Sequence, residues 1–301
     1  MSLPTPYDAE ILETNIREAM NFAPAEKYAL VIGSHGLGWI PKSPSSTLLR
    51  KLSTMGLSPD NLWQRNENAA MTRHIGDETP TQYDVQEIAS AIKACGVKFD
   101  YILFDSCYMG NVESAYELRD VTNYIIGSPC EVMGYGFPYA KIVPFMLNNG
   151  TSAYNLDKVC SEFVEYYRTT SGIPCGTVAL TNCSELEALA QAMKAVNEAG
   201  VKADFSLDNV QYFDGKTEHS FYDLGDLVEQ SCADATVAAA FKNQLDKTVT
   251  SRYHTKQFYS GFAPGNNCYF DINYYSGIST SAMVEHYAAD WEKTEWYKAT
   301  H

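Results

Sequence analysis

Two short stretches carry residue types suited to thiol chemistry. The run Tyr101-Ile102-Leu103-Phe104-Asp105-Ser106-Cys107 drives apolar side chains into a cysteine, with Met109-Gly110 just beyond. The run Tyr28-Ala29-Leu30-Val31-Ile32-Gly33 ends in Ser34-His35-Gly36-Leu37-Gly38. A cysteine attacks as its thiolate, and a neighbouring imidazole both removes the proton and stabilises the charge. Cys107 and His35 form such a pair if two strands deliver them to one edge. Glycines at 36 and 38 let the backbone approach a substrate closely. The amides of Gly36 and Cys107 would then hold an oxyanion. Each residue also has a plain structural reading: a buried strand-end cysteine, or a hydrogen-bonded core histidine.

The elements that must position this pair follow from the pattern of apolar residues. Both runs are short and bounded, as in strands buried on two faces. Between them, Val85, Ile88, Ala89 and Ile92 recur at helical spacing over 82–94, with Thr81 and Asp84 as capping residues. A helix over Val112–Leu118 leads to a third strand over Asn123–Ser128. The order strand, helix, strand, helix, strand predicts a mostly parallel sheet sandwiched by helices, an α/β fold. Open sheets of this kind place their sites at the carboxyl ends of strands. Helices are expected over 8–20, 138–147, 154–170, 184–199, 221–230, 234–246 and 283–296. A strand is expected over Gly176–Thr181. Strands over 249–253, 258–262 and 268–272 predict a smaller, more antiparallel C-terminal α+β addition. The expected division is a catalytic core over residues 1–200 and a packed extension over 201–301. Trp39 to Thr81 reads as a long irregular segment that starts at the site, and His74 within it as a solvated loop residue.

Composition narrows the function. Apolar residues make up 45% of the 301, enough for a substantial core. The net charge is 22 − 37 = −15, which argues against nucleic acid and anionic membrane as partners. No run approaches the roughly 18 apolar residues of a membrane span. The opening Met1-Ser2-Leu3-Pro4-Thr5-Pro6 lacks the basic start and apolar centre of a signal peptide. The eight cysteines contain no Cys-x-x-Cys pair, which argues against structural zinc, and a core this large needs no disulfide framework. No dense run of alternating acidic residues suggests calcium. No metal and no cofactor is expected.

The ordered motifs resemble the clostripain family of cysteine peptidases. The resemblance rests on Val31-Ile32-Gly33-Ser34-His35-Gly36 and Phe104-Asp105-Ser106-Cys107-Tyr108-Met109-Gly110. It is supported by Asp77-Glu78-Thr79, by Val112 to Leu118, by Gly134-Tyr135-Gly136-Phe137-Pro138-Tyr139, and by Tyr222-Asp223-Leu224-Gly225-Asp226-Leu227. It implies a caspase-like fold and a cysteine endopeptidase acting on proteins or peptides, with His35 and Cys107 as dyad. It also implies export to periplasm, cell surface or medium. Ser34, Ser128 and Glu131 are expected to line the cleft. Asp105 reads as an acceptor of backbone N–H groups, because a carboxylate beside the sulfur would raise the thiol pKa.

The chain departs from the family at the selectivity pocket. Relatives favour Arg or Lys and carry an Asp after a later strand; here Val178-Ala179-Leu180-Thr181-Asn182-Cys183-Ser184 presents Asn182. An amide does not neutralise a cation, so a relaxed preference is expected, with Asp204 or Asp208 as weaker substitutes. The competing reading of Asn182 is a cap for the helix that follows. Two other functions remain beside the peptidase: a catalytically inactive binding or scaffold protein of the same fold, and a thiol-dependent amidase.

Overall fold

The computed structural model describes residues 9–42, 46–54, 63–72, 83–147, 153–265 and 267–301. The expectations for His74, Asp77-Glu78-Thr79 and Thr81 lie outside the described residues.

The chain opens with α1 (Ala9–Phe22) and β1 (Ala29–Gly33). Next comes α2 (Ser46–Thr54), a helix inside the stretch expected to be irregular. Its Leu48 and Leu52, four residues apart, are both buried, and this single apolar pair holds it to the core. The helix α3 (Val85–Ala94) follows, with the Asp84 amide donating to the Glu87 carboxylate at 2.9 Å. Then come β2 (Phe99–Asp105), α4 (Val112–Leu118) and β3 (Thr122–Gly127). Every residue of β2 is buried, as its unbroken apolar run demands. Asn111 caps α4 by accepting the Ser114 amide at 2.8 Å.

The chain continues through α5 (Tyr139–Met146), α6 (Leu156–Thr169), β4 (Thr177–Asn182) and α7 (Leu186–Ala199). The last third holds β5 (Tyr222–Asp223), α8 (Leu224–Ser231), α9 (Ala235–Thr248), β6 (Val249–His254), β7 (Gln257–Tyr259), β8 (Tyr269–Asp271) and β9 (Ser279–Thr280). Two short helices, α10 (Ala288–Trp291) and α11 (Glu295–Thr300), end it where one longer helix was expected.

The central sheet has five strands in the order β1-β2-β3-β4-β6. The first three are parallel, as the alternating strands and helices predict. Only β4 is reversed, antiparallel to β3 on one side and to β6 on the other, so β6 points the same way as the first three. Helices flank the sheet, giving an α/β fold. The strand β6 comes from the C-terminal third, so the sheet itself crosses the division expected at residue 200. The rest of that third forms two small antiparallel ribbons, β5 with β9 and β7 with β8.

A buried carboxylate fastens this addition to the core. Glu113, in the first turn of α4, accepts Thr280 Oγ1 at 2.8 Å, the Ser281 amide at 3.0 Å and Trp291 Nε1 at 2.8 Å, all on one oxygen. Burial pushes its pKa above the ordinary 4.5, and the three donors only partly oppose this.

Reversal of β4 decides the place of Asn182. It pairs with Tyr124, which pairs with Tyr101 at the start of β2. Cys107 lies six residues further along, about 20 Å away at strand rise. The Asn182 side chain accepts the Ser184 amide at 3.1 Å and the Ser184 hydroxyl at 2.8 Å. These bonds are those of a cap, and the register places Asn182 at the opposite end of the strands from Cys107.

Two outcomes follow. Asn182→Ala should cost about 1 kcal/mol of stability, as a lost cap does, and leave the kinetics on any substrate unchanged; thermal melts and kcat/KM measure both. Glu113→Ala should cost about 3 kcal/mol by stranding three buried donors, while Glu113→Gln should cost less. Because the Glu113 pKa is raised in the fold, the wild type loses stability as pH climbs above 4.5, and Glu113→Gln removes that slope. Denaturant titrations across that range test the sign.

Candidate active site

The site begins with a register. Ala29 pairs with Tyr101 and Gly33 with Asp105, an offset of 101 − 29 = 105 − 33 = 72 along the whole of β1 and β2. The offset persists past the strands. Ser34 N donates to Ser106 Oγ at 3.3 Å, and the two hydroxyls lie 3.2 Å apart. His35 and Cys107 are separated by 107 − 35 = 72 as well, so the parallel ladder brings them level. Gly36 confirms the close approach: a Cβ built there would lie 2.6 Å from the Cys107 carbonyl oxygen and 3.4 Å from its amide nitrogen. Only a residue without a side chain fits. Gly38 stands beside Tyr108 and Asn111 at φ +64°, where glycine is favoured.

The nucleophile candidate sits on a bent backbone. Tyr108, immediately after Cys107, has φ 59°, a conformation a bulky residue adopts only under constraint. The constraint is visible on both sides. Its amide donates to the Cys130 carbonyl at 3.0 Å, and its ring stacks on Phe221 at 4.9 Å and packs against Trp63 at 5.6 Å. Gly110 N then donates to Ser128 O at 2.8 Å, and Ser279 N donates to Gly110 O at 2.9 Å, so β3 and β9 brace the turn.

The thiol itself is closed off. Cys107 is 0% exposed, whereas His35 is exposed. The Val132 amide donates to Sγ at 3.2 Å. Burial pushes the thiol pKa well above 9.0, and the neighbouring Glu131 charge pushes it further; the Val132 amide, Arg65 and Thr72 oppose this without prevailing. The sulfur in this closed arrangement carries its proton.

The cover is the segment Trp63–Thr72, and its lock is Glu131. This carboxylate is buried and surrounded by donors: Ser260 Oγ at 2.9 Å, Gly261 N at 2.7 Å and Tyr108 OH at 3.2 Å on one oxygen. Thr72 Oγ1 at 2.6 Å and Arg65 Nη1 at 3.1 Å meet the other. Burial raises the Glu131 pKa, with Thr72 and Arg65 the main opposing partners. Arg65 also donates to Thr72 Oγ1 at 2.7 Å and to Ala70 O at 2.5 Å. Backbone contacts complete the fastening: Gly134 N to Met71 O at 2.7 Å and Asn66 N to Gly261 O at 2.8 Å.

The other expected residues separate clearly. Ser34 lies at the site, exposed and bonded to Ser106. Ser128 is fully buried, 2.7 Å from Thr177 Oγ1, and supports the turn instead of lining a cleft. Glu131 lies beneath the cover, not on an open wall. Asn182 is at the opposite end of the strands. Asp105 accepts Tyr139 OH at 2.9 Å and the Phe137 amide at 3.4 Å, the structural role expected of it. Sequence reasoning missed Arg65, Thr72 and Tyr108. All eight cysteines are free and buried. Among the described residues no cluster of three or more His, Cys, Asp or Glu residues suits a metal, and no helix is long and apolar enough to cross a membrane.

Comparisons with known proteins agree with this architecture. The profile of the clostripain family matches residues 60–301, a span that contains Cys107. A secreted C11 cysteine protease of Bacteroides thetaiotaomicron, iotapain, superposes with a TM-score of 0.81 at 37% identity, over 98% of this chain and 77% of that one. A clostripain of the same organism, solved with a peptide inhibitor, gives 0.67 at 38% identity over 75% of this chain and 98% of that one. An inactive zymogen C11 protease of Parabacteroides distasonis gives 0.75 at 26% identity over 99% and 79%. No curated protein matches. A mixed sheet with a cysteine and a histidine levelled at one edge, and kinship over most of its length, mark the chain as a member of the clostripain family, a cysteine peptidase of caspase-like fold.

Proposed function

We propose that the chain is an endopeptidase whose dyad is His35 and Cys107. The observation that carries this reading is the 72-residue offset of the β1/β2 ladder, which levels the two residues. In the reaction, His35 takes the Cys107 proton and the sulfur attacks the peptide carbonyl carbon. The C–S bond forms as the carbonyl oxygen takes the negative charge, which the Gly36 and Cys107 amides receive. The C–N bond then breaks, and His35 passes its proton to the leaving amine. Water, deprotonated by His35, attacks the thioester and restores the thiol. The substrates are proteins or peptides, and the secreted relative supports export of this chain as well. With Asn182 at the wrong end of the sheet, it plays no part in selectivity.

Turnover requires Cys107 to become accessible. We therefore infer that Trp63–Thr72 withdraws from Glu131 before substrate enters. The energetic barrier is the set of buried bonds that Glu131 makes to Thr72 and Arg65.

Three measurements bear on this. Cys107→Ala and His35→Ala should each lower kcat by roughly three decades or more on a peptide library, with unchanged melting curves, since dyad members act as a unit. More than a few per cent residual activity in either variant would refute the dyad. Alkylation of Cys107 by iodoacetamide should be slow at neutral pH and climb as pH rises toward and beyond 9.0, because burial holds the proton on the sulfur. Thr72→Val, which removes the hydroxyl from Glu131 and keeps the shape, should speed that alkylation about fivefold, the equivalent of roughly 1 kcal/mol. Labelling indifferent to Thr72 would show that the cover is fastened elsewhere.

A further inference from the structure

The loop between Phe213 and Ser220 contains an acid and a base that are buried together and used differently. Asp214 accepts the Ser220 amide at 2.7 Å, the Phe221 amide at 3.0 Å and the Lys216 amide at 3.1 Å, with His219 Nδ1 at 3.4 Å. Burial alone would raise its pKa, but His219, Lys216 and the Ser220 amide outweigh it and hold Asp214 below the ordinary carboxylate value. Its charge is spent on the turn.

Lys216 is not so provided for. It is only 8% exposed. Its Nζ donates to Ser220 Oγ at 2.8 Å and lies 3.9 Å from the centroid of the Trp63 ring. Among the described residues no carboxylate forms an ion pair with it. Burial pulls its pKa down to about 8, so it remains charged at neutral pH. An ammonium group has three protons to donate, and a hydroxyl and an aromatic face do not satisfy them.

Lys216 also borders open space. A cavity of about 700 Å³ is lined by Lys216, Lys51, Arg65 and His286, with Glu67 and Glu218 exposed among its other lining residues. Burial and the Lys216 charge pull the His286 pKa down to about 4, with Lys51 adding to the effect, so its imidazole is neutral and ready to hydrogen-bond. Arg65 is occupied by Glu131 and marks the border with the thiol site. Trp63 packs on Tyr108, the residue after Cys107. A desolvated cation thus lines a cavity that Arg65 and Trp63 connect to the Cys107 turn, in a protein whose net charge is −15.

We propose that the wall of this cavity outside the cover, formed by Lys216, Lys51 and His286, is a carboxylate subsite of the substrate cleft, which receives an Asp or Glu side chain of the bound polypeptide on Lys216 once the cover has withdrawn. The polypeptide part rests on the peptidase reading above. Carboxylate recognition does not.

The test uses matched peptides that carry a single Glu or Gln at successive positions on the amino side of the scissile bond. At one position Glu should exceed Gln in kcat/KM by about tenfold or more, the worth of a hydrogen bond to a desolvated charge. In Lys216→Met, which keeps the packing on Trp63, the ratio should fall to near one. Lys51→Met, an exposed site that folds regardless, should lower it about two- to threefold. Calorimetric titration of the same peptides into Cys107→Ala protein reads binding without turnover. If no peptide is hydrolysed yet Glu still binds better than Gln through Lys216, the peptidase reading fails and carboxylate recognition stands. Equal values for Glu and Gln at every position, or a preference unmoved by Lys216→Met, would overturn the proposal. So would saturation by N-acetylglutamate alone with no gain from the peptide, which would make the cavity a site for a free acid.

Discussion

The parallel pairing of β1 with β2 is the constraint on which the rest of this molecule depends. Its offset of 72 residues fixes which side chain of the first strand end stands beside which of the second. A slip of one residue would turn every side chain of β1 to the opposite face. The pairing is secured by burial, because β2 is enclosed along its whole length. It is secured again by close contact past the strands, because any Cβ at Gly36 would collide with Cys107. Thus the packing that stabilises the sheet also sets the geometry of the chemistry.

Against that fixed frame, the surroundings of the thiol are adjustable. Glu131 is held by Tyr108, Ser260 and Gly261 from the core and by Thr72 and Arg65 from the cover. Removing one partner of such a buried pair is costly, since the other charge is left stranded. The cover is therefore bound by these few polar contacts at one end and by Trp63, packed on Tyr108, Phe221 and Phe262, at the other. Met71, at its end, is 81% exposed. A fastening of this kind opens as a unit when its central charge finds another partner. That is the behaviour required of a segment that lies over a nucleophile and must leave it.

Much of the core was legible in the sequence because each element there agrees with its neighbours. The apolar runs ending at Gly33 and Asp105 are strands, and the helix over Val112–Leu118 has the bounds read from its pattern. The levelled His35 and Cys107 follow from two strands with right-handed parallel connections. What escaped notice has physical reasons. The direction of β4 carries no local signal, since a buried strand reads alike in both senses, and this misplaced Asn182. The helix α2 hides because its flanks are rich in serine and proline and it buries one apolar pair. Arg65 and Thr72 lie in an irregular stretch with no periodicity at all. Their importance comes from a carboxylate 66 and 59 residues away, which pattern reading does not connect. Glu131, expected to line a cleft, is buried and bonded to Thr72 and Arg65 of the cover.

The same logic explains why charge, more than shape, distinguishes the two sides of the closed site. On the thiol side burial, reinforced by the carboxylate Glu131, disfavours a second negative charge and raises the Cys107 pKa. On the cavity side Lys216 is buried and, among the described residues, makes no ion pair, so it favours one. The cover segment separates them, with Arg65 turned to the acid and Trp63 laid against the ammonium. Its withdrawal would remove Arg65 from beside Glu131 and Trp63 from beside Lys216 together. Both charges would then face whatever replaces the cover. A polypeptide entering the site would meet a carboxylate beside the sulfur and an ammonium beyond it. The cover meets Lys216 with only an aromatic face, so a substrate that brings it a carboxylate would supply free energy that holds the site open.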